Sequence, residues 1–301
     1  MKNITSQSRR EFVKTGATAV LGAPVIFSAF PILNNTVTGR DIEKHFQSVG
    51  SWVNWKQTTD IFKIGDPKKE IKKIAVAWKI NIYSIKKAIE MEADLFISHE
   101  SICVNSPNSE MKPEINFALP TELPKFDLLK EAGLLVYRCH DLWDGFPEFG
   151  IRDTWRKKLN LGDKIIGDKY PYYVTETEPG TVRDLAKHIL EIIQPLHESG
   201  LMVSGNMDKV VSKVGTGTGV CTNPFALREL GADVGIMTDD YYRHVREGIH
   251  ADELDFPTIH VNHAVAEEWG IMNLVKYVRE QFPLLEVNHI RQYCPYQYIT
   301  L

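Results

Sequence analysis

The strongest constraint on the fold is an alternation of strand and helix patterns early in the chain. Residues 71–78 form an apolar run that predicts a buried strand, residues 81–91 predict a helix, and residues 93–98 predict the next strand. A strand, a helix and a second strand in succession predict a βαβ unit with two parallel strands, whose ligand-binding side lies at their carboxyl ends. The same alternation recurs further along, so the sequence predicts an α/β protein with two α/β lobes.

The lobe boundary is predicted near residue 168, which gives a first lobe over residues 38–168 and a second over residues 169–301. Thr38 is the expected N-cap of the first helix. In the second lobe, residues 201–204 and 210–214 resemble paired strands around a turn. Residues 215–219, Gly-Thr-Gly-Thr-Gly, follow a strand and precede a helix, so they could form a tight turn or an anion cradle.

The N-terminal 30 residues differ from the rest of the chain. Arg9 and Arg10 are followed by Phe12, Lys14 and a weakly apolar Gly/Ala-containing run to residue 30, which is typical of a twin-arginine export signal. A basic tail leading into a short amphipathic helix is the alternative, and the run is too short for a stable membrane span, which needs about 20 apolar residues. We therefore expect a periplasmic or otherwise exported protein.

Charge and cysteine content narrow the functional class. The whole chain has a net charge of −4, and residues 1–30 contribute +3, so residues 31–301 carry a net charge of −7. This acidic balance argues against a nucleic-acid partner, which needs a basic surface. The four cysteines have no C-x-x-C spacing, which argues against a structural zinc site, and any disulfide pairing among them stays open.

Three predicted strand ends each carry a histidine and a carboxylate close in sequence. A lone histidine there can be a capped or surface residue, but three such pairs at the same edge of the sheets favour one shared centre. Imidazole and carboxylate together suit Zn, Mn, Fe or Co, and six such groups are enough for two ions that share a bridging carboxylate. The pairs are His99 with Glu100, His140 with Asp144, and His263 with Glu267.

Other polar residues fall near these strand ends. Asp239, Asp240 and His244 could support ligands through hydrogen bonds or could simply solvate a loop. Cys103 and Cys139 are close in sequence to the candidate ligands and could approach the metal ions, but we favour their interpretation as small buried residues.

The same segments resemble motifs of the NGG-interacting-factor-like (Nif3-like) family of dinuclear-metal proteins, often named GTP cyclohydrolase 1 type 2. The resemblance extends from about Asp41 to Pro295. The matching elements are residues 93–100 for ADLIIxHH, residues 139–144 for AHTNLD, residues 215–219 for a G-x-G turn, residues 231–239 for GAD and TGD, and residues 262–267 for GHYxxE.

This resemblance implies mixed sheets flanked by helices, a metal site between the two lobes, and a homohexameric ring. It also implies that His99, Asp144, His263 and Glu267 are metal ligands, with Glu267 as the bridge. Glu100 stands where the family has a second histidine; its carboxylate can still ligate, and it favours harder ions such as Mn or Fe.

Together these features predict a metal-dependent hydrolase that acts on a small-molecule substrate. Two divalent ions, Zn, Mn or Fe, would activate a water molecule, and His140 or Glu100 would be the catalytic proton carrier. GTP as substrate follows only from the family name, and export argues against it. The alternative is a non-catalytic metal-binding or ring-forming scaffold protein.

Overall fold

The computed structural model describes residues 36–105, 114–217, 221, 223–240 and 248–299. Within these residues the helices are α1 (Gly39–Val49), α2 (Ile82–Glu90), α3 (Leu123–Glu131), α4 (Asp141–Asp144), α5 (Ile151–Leu159), α6 (Val182–Ile193), α7 (Pro224–Glu229), α8 (Ile249–Glu253) and α9 (His263–Gln281). Short 3₁₀ turns cover Glu114–Phe117, Pro120–Glu122 and Gln194–Leu196. The strands are β1 (Val37–Thr38), β2 (Phe62–Ile64), β3 (Glu70–Ile71), β4 (Lys73–Ala77), β5 (Leu95–Ser98), β6 (Leu135–Arg138), β7 (Ile165–Lys169), β8 (Tyr172–Thr181), β9 (Met202–Ser204), β10 (Val210–Gly217), β11 (Val234–Thr238), β12 (Thr258–Val261) and β13 (Glu286–His289).

Several helices begin at the side chains that the sequence marks as caps. The backbone N–H and the hydroxyl of Thr38 both donate to the Asp41 carboxylate at the start of α1. Asn81 Oδ1 accepts from the Ser84 backbone N–H at 2.8 Å, and Ser84 Oγ accepts in return from Asn81 N–H. Each such pair satisfies N–H groups that a helix terminus leaves open, and this fixes where the helix begins.

The first sheet has the strand order β13-β4-β5-β6-β2. Its strands are parallel except β2, which is antiparallel to β6. Strands β4 and β5 are the parallel pair predicted from the strand–helix–strand pattern. Their carboxyl ends, together with that of β6, lie at one edge of the sheet, which is the side where α/β proteins bind ligands.

The second sheet has the order β7-β8-β10-β11-β12-β9. Strands β10, β11 and β12 are parallel, whereas β7, β8 and β9 join antiparallel. A separate two-stranded pair is formed by β1 and β3. The prediction of a mixed α/β fold with sheets flanked by helices is therefore confirmed.

Helix α9 packs into the cores of both sheets. Val265 and Ala266, near its start, belong to the core that contains β10, β11 and β12, whereas Ile271 and Leu274 belong to the core that contains β4, β5 and β6. A helix that is apolar on most of its circumference is a buried helix. Because α9 begins directly after β12 and touches both sheets, it links the strand ends of the two halves.

The structure corrects three expectations. Strand β9 (residues 202–204) does not pair with β10 as predicted; it pairs with β12 at the far edge of the sheet, because β11 and β12 lie between them. Gly215 and Gly217 lie inside β10 rather than in a turn, while Gly219 is outside the described residues. A Cβ at Gly215 would be 2.8 Å from Ala232 Cβ, so this glycine allows close packing.

The third difference concerns the last strand. Strand β13 (residues 286–289) pairs with β4, so the segment after residue 169 contributes to both sheets. The division into residues 38–168 and 169–301 therefore does not coincide with the sheet boundaries. Residues 1–30, in which the sequence predicts an export signal, are outside the described residues. Within the described part of the chain, no helix combines the length and apolar character needed to cross a membrane.

Candidate metal centre

The candidate ligands lie in loops and first helical turns that directly follow parallel strands. His99 follows β5, His140 immediately precedes α4, and His263 is the first residue of α9 after β12. Asp144 and Glu267 lie four residues after His140 and His263, on the same helical face. The structure thus brings side chains from both sheets to one place.

His99 has a buried ring nitrogen that points into a group of carboxylates. Its Nδ1 is 3.0 Å from the Cys139 carbonyl oxygen, and since a carbonyl only accepts, Nδ1 carries the proton. Its Nε2 lies 3.3 Å from Glu267 Oε2 and 3.5 Å from Asp144 Oδ1, without a well-aligned hydrogen bond. Burial lowers the pKa of His99, but Glu267, Asp144 and Glu100 outweigh it and raise that pKa to about 9.

Glu267 and His263 form the second part of the cluster. The Glu267 carboxylate is fully buried; it accepts a hydrogen bond from Trp78 Nε1 at 2.7 Å and another from His263 Nε2 at 2.9 Å. The other ring nitrogen of His263, Nδ1, is 3.1 Å from Asp240 Oδ2. Burial alone would lower the pKa of His263, yet these two carboxylates raise it well above its usual value.

Glu100 and His140 complete the group on its more open side. Glu100 Oε1 lies 3.7 Å from His140 Nε2 and 4.0 Å from His263 Nε2. Burial raises the pKa of Glu100, but the neighbouring histidines dominate and lower it to about 2. The His140 ring stacks on the His99 ring with centroids 4.6 Å apart, and its side chain retains 15% exposure, against 0% for His99.

These groups could hold a metal ion. Two sets of donors have all their ligand atoms within 4.8 Å of one another, and both sets include His99. A cation between them would receive the lone pair of His99 Nε2 and would offset the buried carboxylate charge, so the donor chemistry fits divalent Zn, Mn or Fe. The two sets are His99, His140 and Asp144, and His99, Glu100 and Glu267.

Asp60 is a supporting residue that the sequence analysis missed. Its buried carboxylate accepts the backbone N–H groups of His140, Asp141 and Leu142 at 2.8–2.9 Å. These are the open N–H groups at the start of α4, and holding them orients the helix that carries Asp144. Asp60 lies just before the short strand β2 and 80 residues before His140, and neither its residue type nor its position in the sequence indicated this role.

Asp239 and Asp240 occupy the equivalent supporting position at α9. Asp239 Oδ1 accepts from the His263 backbone N–H at 2.9 Å, and Asp240 contacts the His263 ring as described. The structure therefore favours the supporting role over the solvated loop. His244, considered with them, is outside the described residues.

The cysteines play a packing role. Cys103, Cys139, Cys221 and Cys294 are all buried and unpaired. Burial raises the pKa of the Cys103 thiol to about 12 and that of Cys139 well above its usual value, so both remain protonated. Cys139 contacts the cluster through its carbonyl oxygen, which accepts the hydrogen bond from His99 Nδ1.

A cavity of about 230 Å³ opens beside the cluster. Its walls combine aromatic, cationic and acidic side chains from both sheets and from the C-terminal segment. They are Trp78, Lys79, Glu100, Asp239, Asp240, Asn262, His263 and Tyr296. A larger cavity of about 940 Å³, near Lys164, Glu176 and Asp184, contains none of the clustered residues, so the smaller cavity is the one joined to the chemistry.

The fold and the cluster define a class: a mixed α/β protein that gathers buried histidines and carboxylates at its strand ends. Within that class, this chain belongs to the Duf34/NIF3 (NGG1p interacting factor 3) family, whose model matches residues 55–294. The family resemblance inferred from the motifs is thereby confirmed.

Individual proteins agree with this assignment. A GTP cyclohydrolase 1 type 2 homolog of Clostridium perfringens is 28% identical over 216 residues, which cover 69% of this chain and 78% of that protein. The structure of a Bacillus cereus protein related to NIF3 matches with a TM-score of 0.69 at 14% identity, over 87% of this chain and 99% of that chain. A hypothetical protein of Staphylococcus aureus matches with a TM-score of 0.65 at 17% identity, over the same shares. The two structures support the fold alone.

Proposed function

We propose that this protein is a metal-dependent hydrolase whose centre holds two divalent ions. The observation that supports this most directly is the buried His99 Nε2, which faces the carboxylate of Glu267 on α9 and that of Asp144 on α4. As ligands we propose His99, Glu100, Asp144, His263 and Glu267. Glu267 faces both His99 and His263, so it is the best-placed group to bridge two ions.

Divalent ions bound there would lower the pKa of a coordinated water and polarise a substrate oxygen. The chain itself would supply orientation and proton transfer. Cys139 O holds the proton of His99 on Nδ1, which leaves Nε2 as the donor atom. Asp141 Oδ1 accepts a hydrogen bond from His140 Nδ1 at 3.0 Å. The Nε2 atom of His140 therefore faces Glu100 and can transfer a proton.

The substrate is proposed to be a small anionic molecule. Lys79 and two cations would offset the acidic cavity wall, and a volume of about 230 Å³ fits only a small molecule or one end of a larger one. The Clostridium perfringens relative carries the name of a GTP cyclohydrolase, so GTP belongs among the candidates to be tested.

The test begins with protein stripped of metal and reloaded separately with Mn²⁺, Zn²⁺ or Fe²⁺. Metal content is measured, and turnover is screened on phosphoester, nucleotide (including GTP) and amide substrates. Glu267→Gln should lose metal and activity. Glu122→Gln removes another buried carboxylate, one that is bound to Lys125 and lies outside the cluster, and it should retain both.

A protein that binds metal but shows no turnover sensitive to Glu267→Gln would be a non-catalytic metal-binding scaffold. A protein that binds no metal would refute the centre itself. His140→Gln separates two roles: a proton carrier would lose turnover with full metal content, whereas a ligand would lose metal as well.

Export and assembly are further parts of the proposal. The paired arginines at residues 9–10 support export through the twin-arginine pathway, and the family resemblance supports a homohexameric ring. Arg9→Lys with Arg10→Lys should retain the protein in the cytoplasm, and light scattering of purified protein should give six subunits.

A further inference from the structure

Trp78 directly follows strand β4, and its side chain reaches helix α9. The indole Nε1 donates a hydrogen bond of 2.7 Å to Oε2 of the fully buried Glu267 carboxylate. The same indole packs edge-to-face against the His263 ring, with ring centroids 5.3 Å apart and an interplanar angle of 73°. One side chain from the first sheet therefore contacts both candidate ligands on α9.

The backbone around Trp78 is held on both sides. Its carbonyl oxygen accepts a hydrogen bond from the Glu100 backbone N–H at 2.7 Å, so Trp78 also contacts a third candidate ligand. The backbone N–H of the next residue, Lys79, donates to Gln292 Oε1 at 2.7 Å. These bonds fix the point from which the indole extends, and this limits the positions open to the indole N–H.

The two oxygens of the Glu267 carboxylate have different partners. Oε2 accepts from Trp78 and lies 3.3 Å from His99 Nε2, whereas Oε1 accepts from His263 Nε2 at 2.9 Å. A histidine nitrogen that ligates a metal ion carries no proton, so it would no longer donate to this carboxylate. The indole N–H acts as a donor only, and its bond to Oε2 would remain.

We propose that Trp78 is a positioning residue of the metal centre, which orients the Glu267 carboxylate through its indole N–H. Hydrogen bonds to a ligating side chain fix its orientation toward the ion. Trp78 also lines the 230 Å³ cavity beside Glu100 and His263, so it lies between the centre and the space for a substrate. This inference rests on the proposed metal centre and identifies the residue that holds its bridging ligand.

The test uses full-length protein and Co²⁺ alone, and it follows the visible absorption of the bound ion, which depends on coordination geometry. Trp78→Phe keeps an aromatic ring and removes the N–H. Trp78→Gln removes the ring but carries an amide N–H at the same number of bonds from Cα as the indole N–H. Thermal unfolding of each metal-free variant monitors the fold.

Trp55→Phe is the matched control. Trp55 is half-buried like Trp78, and its Nε1 also donates a hydrogen bond, at 2.9 Å, to the carbonyl oxygen of Gly50 at the end of α1. Gly50 is not one of the candidate ligands. The control therefore measures the general effect of removing one bonded indole N–H from this fold.

Loss of a supporting hydrogen bond around a metal ligand lowers metal affinity by roughly 10- to 100-fold, and we expect a loss in this range for Trp78→Phe, with altered absorption bands. Trp78→Gln should bind Co²⁺ more tightly than Trp78→Phe does, because it keeps a donor although it loses more apolar contact. Trp55→Phe should match the wild-type protein in affinity and bands.

Trp78→Gln with a Co²⁺ affinity equal to or below that of Trp78→Phe would overturn this inference, because packing and not the N–H would then support the centre. Wild-type protein and Trp78→Phe with equal affinity and bands would also overturn it and leave the metal centre intact. A loss that Trp55→Phe shares, with unchanged bands, would overturn it in favour of general stability. Wild-type protein that takes up no Co²⁺ would overturn the metal centre and the role of Trp78 together.

Discussion

The metal-free protein should lose stability as the pH rises from 6.5 to 9. In the cluster, Glu267, Asp144 and Glu100 raise the pKa of His99 from 6.5 to about 9 despite its burial. The folded state therefore binds a proton more tightly than the unfolded state does. The contribution of protonated His99 to the free energy of unfolding is complete below pH 6.5 and disappears as the pH rises past 9.

The size of this effect follows from the shift. About 1.4 kcal/mol per pKa unit gives a loss of roughly 3 kcal/mol in the free energy of unfolding across that range. His99 is fully buried, so solvent does not screen the interaction. For a chain of this size the entropy of unfolding is about 0.6 kcal/mol/K, so the melting temperature should fall by roughly 5 °C.

The assay is urea or thermal unfolding of chelator-treated protein at pH 6.5, 7.5 and 9. His99→Gln is the control, because glutamine has no titrating proton; this variant should be less stable at pH 6.5 and should show a shallower pH dependence. Mn²⁺ affinity should change in the opposite direction and rise with pH, since the ion must displace the proton on Nε2. Metal-free wild-type protein whose stability is constant or rises between pH 6.5 and 9 would refute the reasoning.

Three further perturbations test other parts of the structure. Asp60→Asn should lower the free energy of unfolding by about 2–4 kcal/mol in urea titrations, because an amide cannot accept three N–H groups as the carboxylate does; an unchanged midpoint would contradict this. Burial lowers the pKa of His45 to about 4, so the unfolded state binds the extra proton and stability should fall as the pH drops from 6.5 to 4; His45→Gln should flatten that limb of the pH profile. Gly270→Ala should cost about 1–3 kcal/mol, since the new Cβ would lie 2.5 Å from Ile151 Cδ1, whereas Gly180→Ala, with open space around it, should leave the melting temperature unchanged.

Much of the first sheet could be predicted from the sequence because its order is local. Strands β4 and β5 and the helix between them are adjacent in the chain, and the apolar runs mark them directly. The positions of His99, His140 and His263 at strand ends follow from the same pattern. Their convergence from two sheets was inferred from family motifs and from the rule that parallel strands share one functional edge.

The rest depends on contacts between distant segments. Strand β13 joins β4 across most of the chain, and no local periodicity specifies that pairing. Residues 201–204 and 210–214 look like a hairpin because they are neighbours in sequence, yet tertiary pairing places β9 on β12. Asp60 acts through hydrogen bonds to backbone N–H groups 80 to 82 positions away in sequence, so its residue type alone gave no signal.

The position of β13 at the edge of the first sheet also affects how the molecule is made. Until residues 286–289 leave the ribosome, β4 keeps an open edge of unpaired N–H and C=O groups, which is a surface prone to wrong pairing. The hydrogen bond from Trp78 to Glu267 joins residues 189 positions apart, so the first sheet and the candidate metal centre form together and late in folding. A nascent chain of this protein therefore exposes that edge to wrong pairing until β13 has been synthesised.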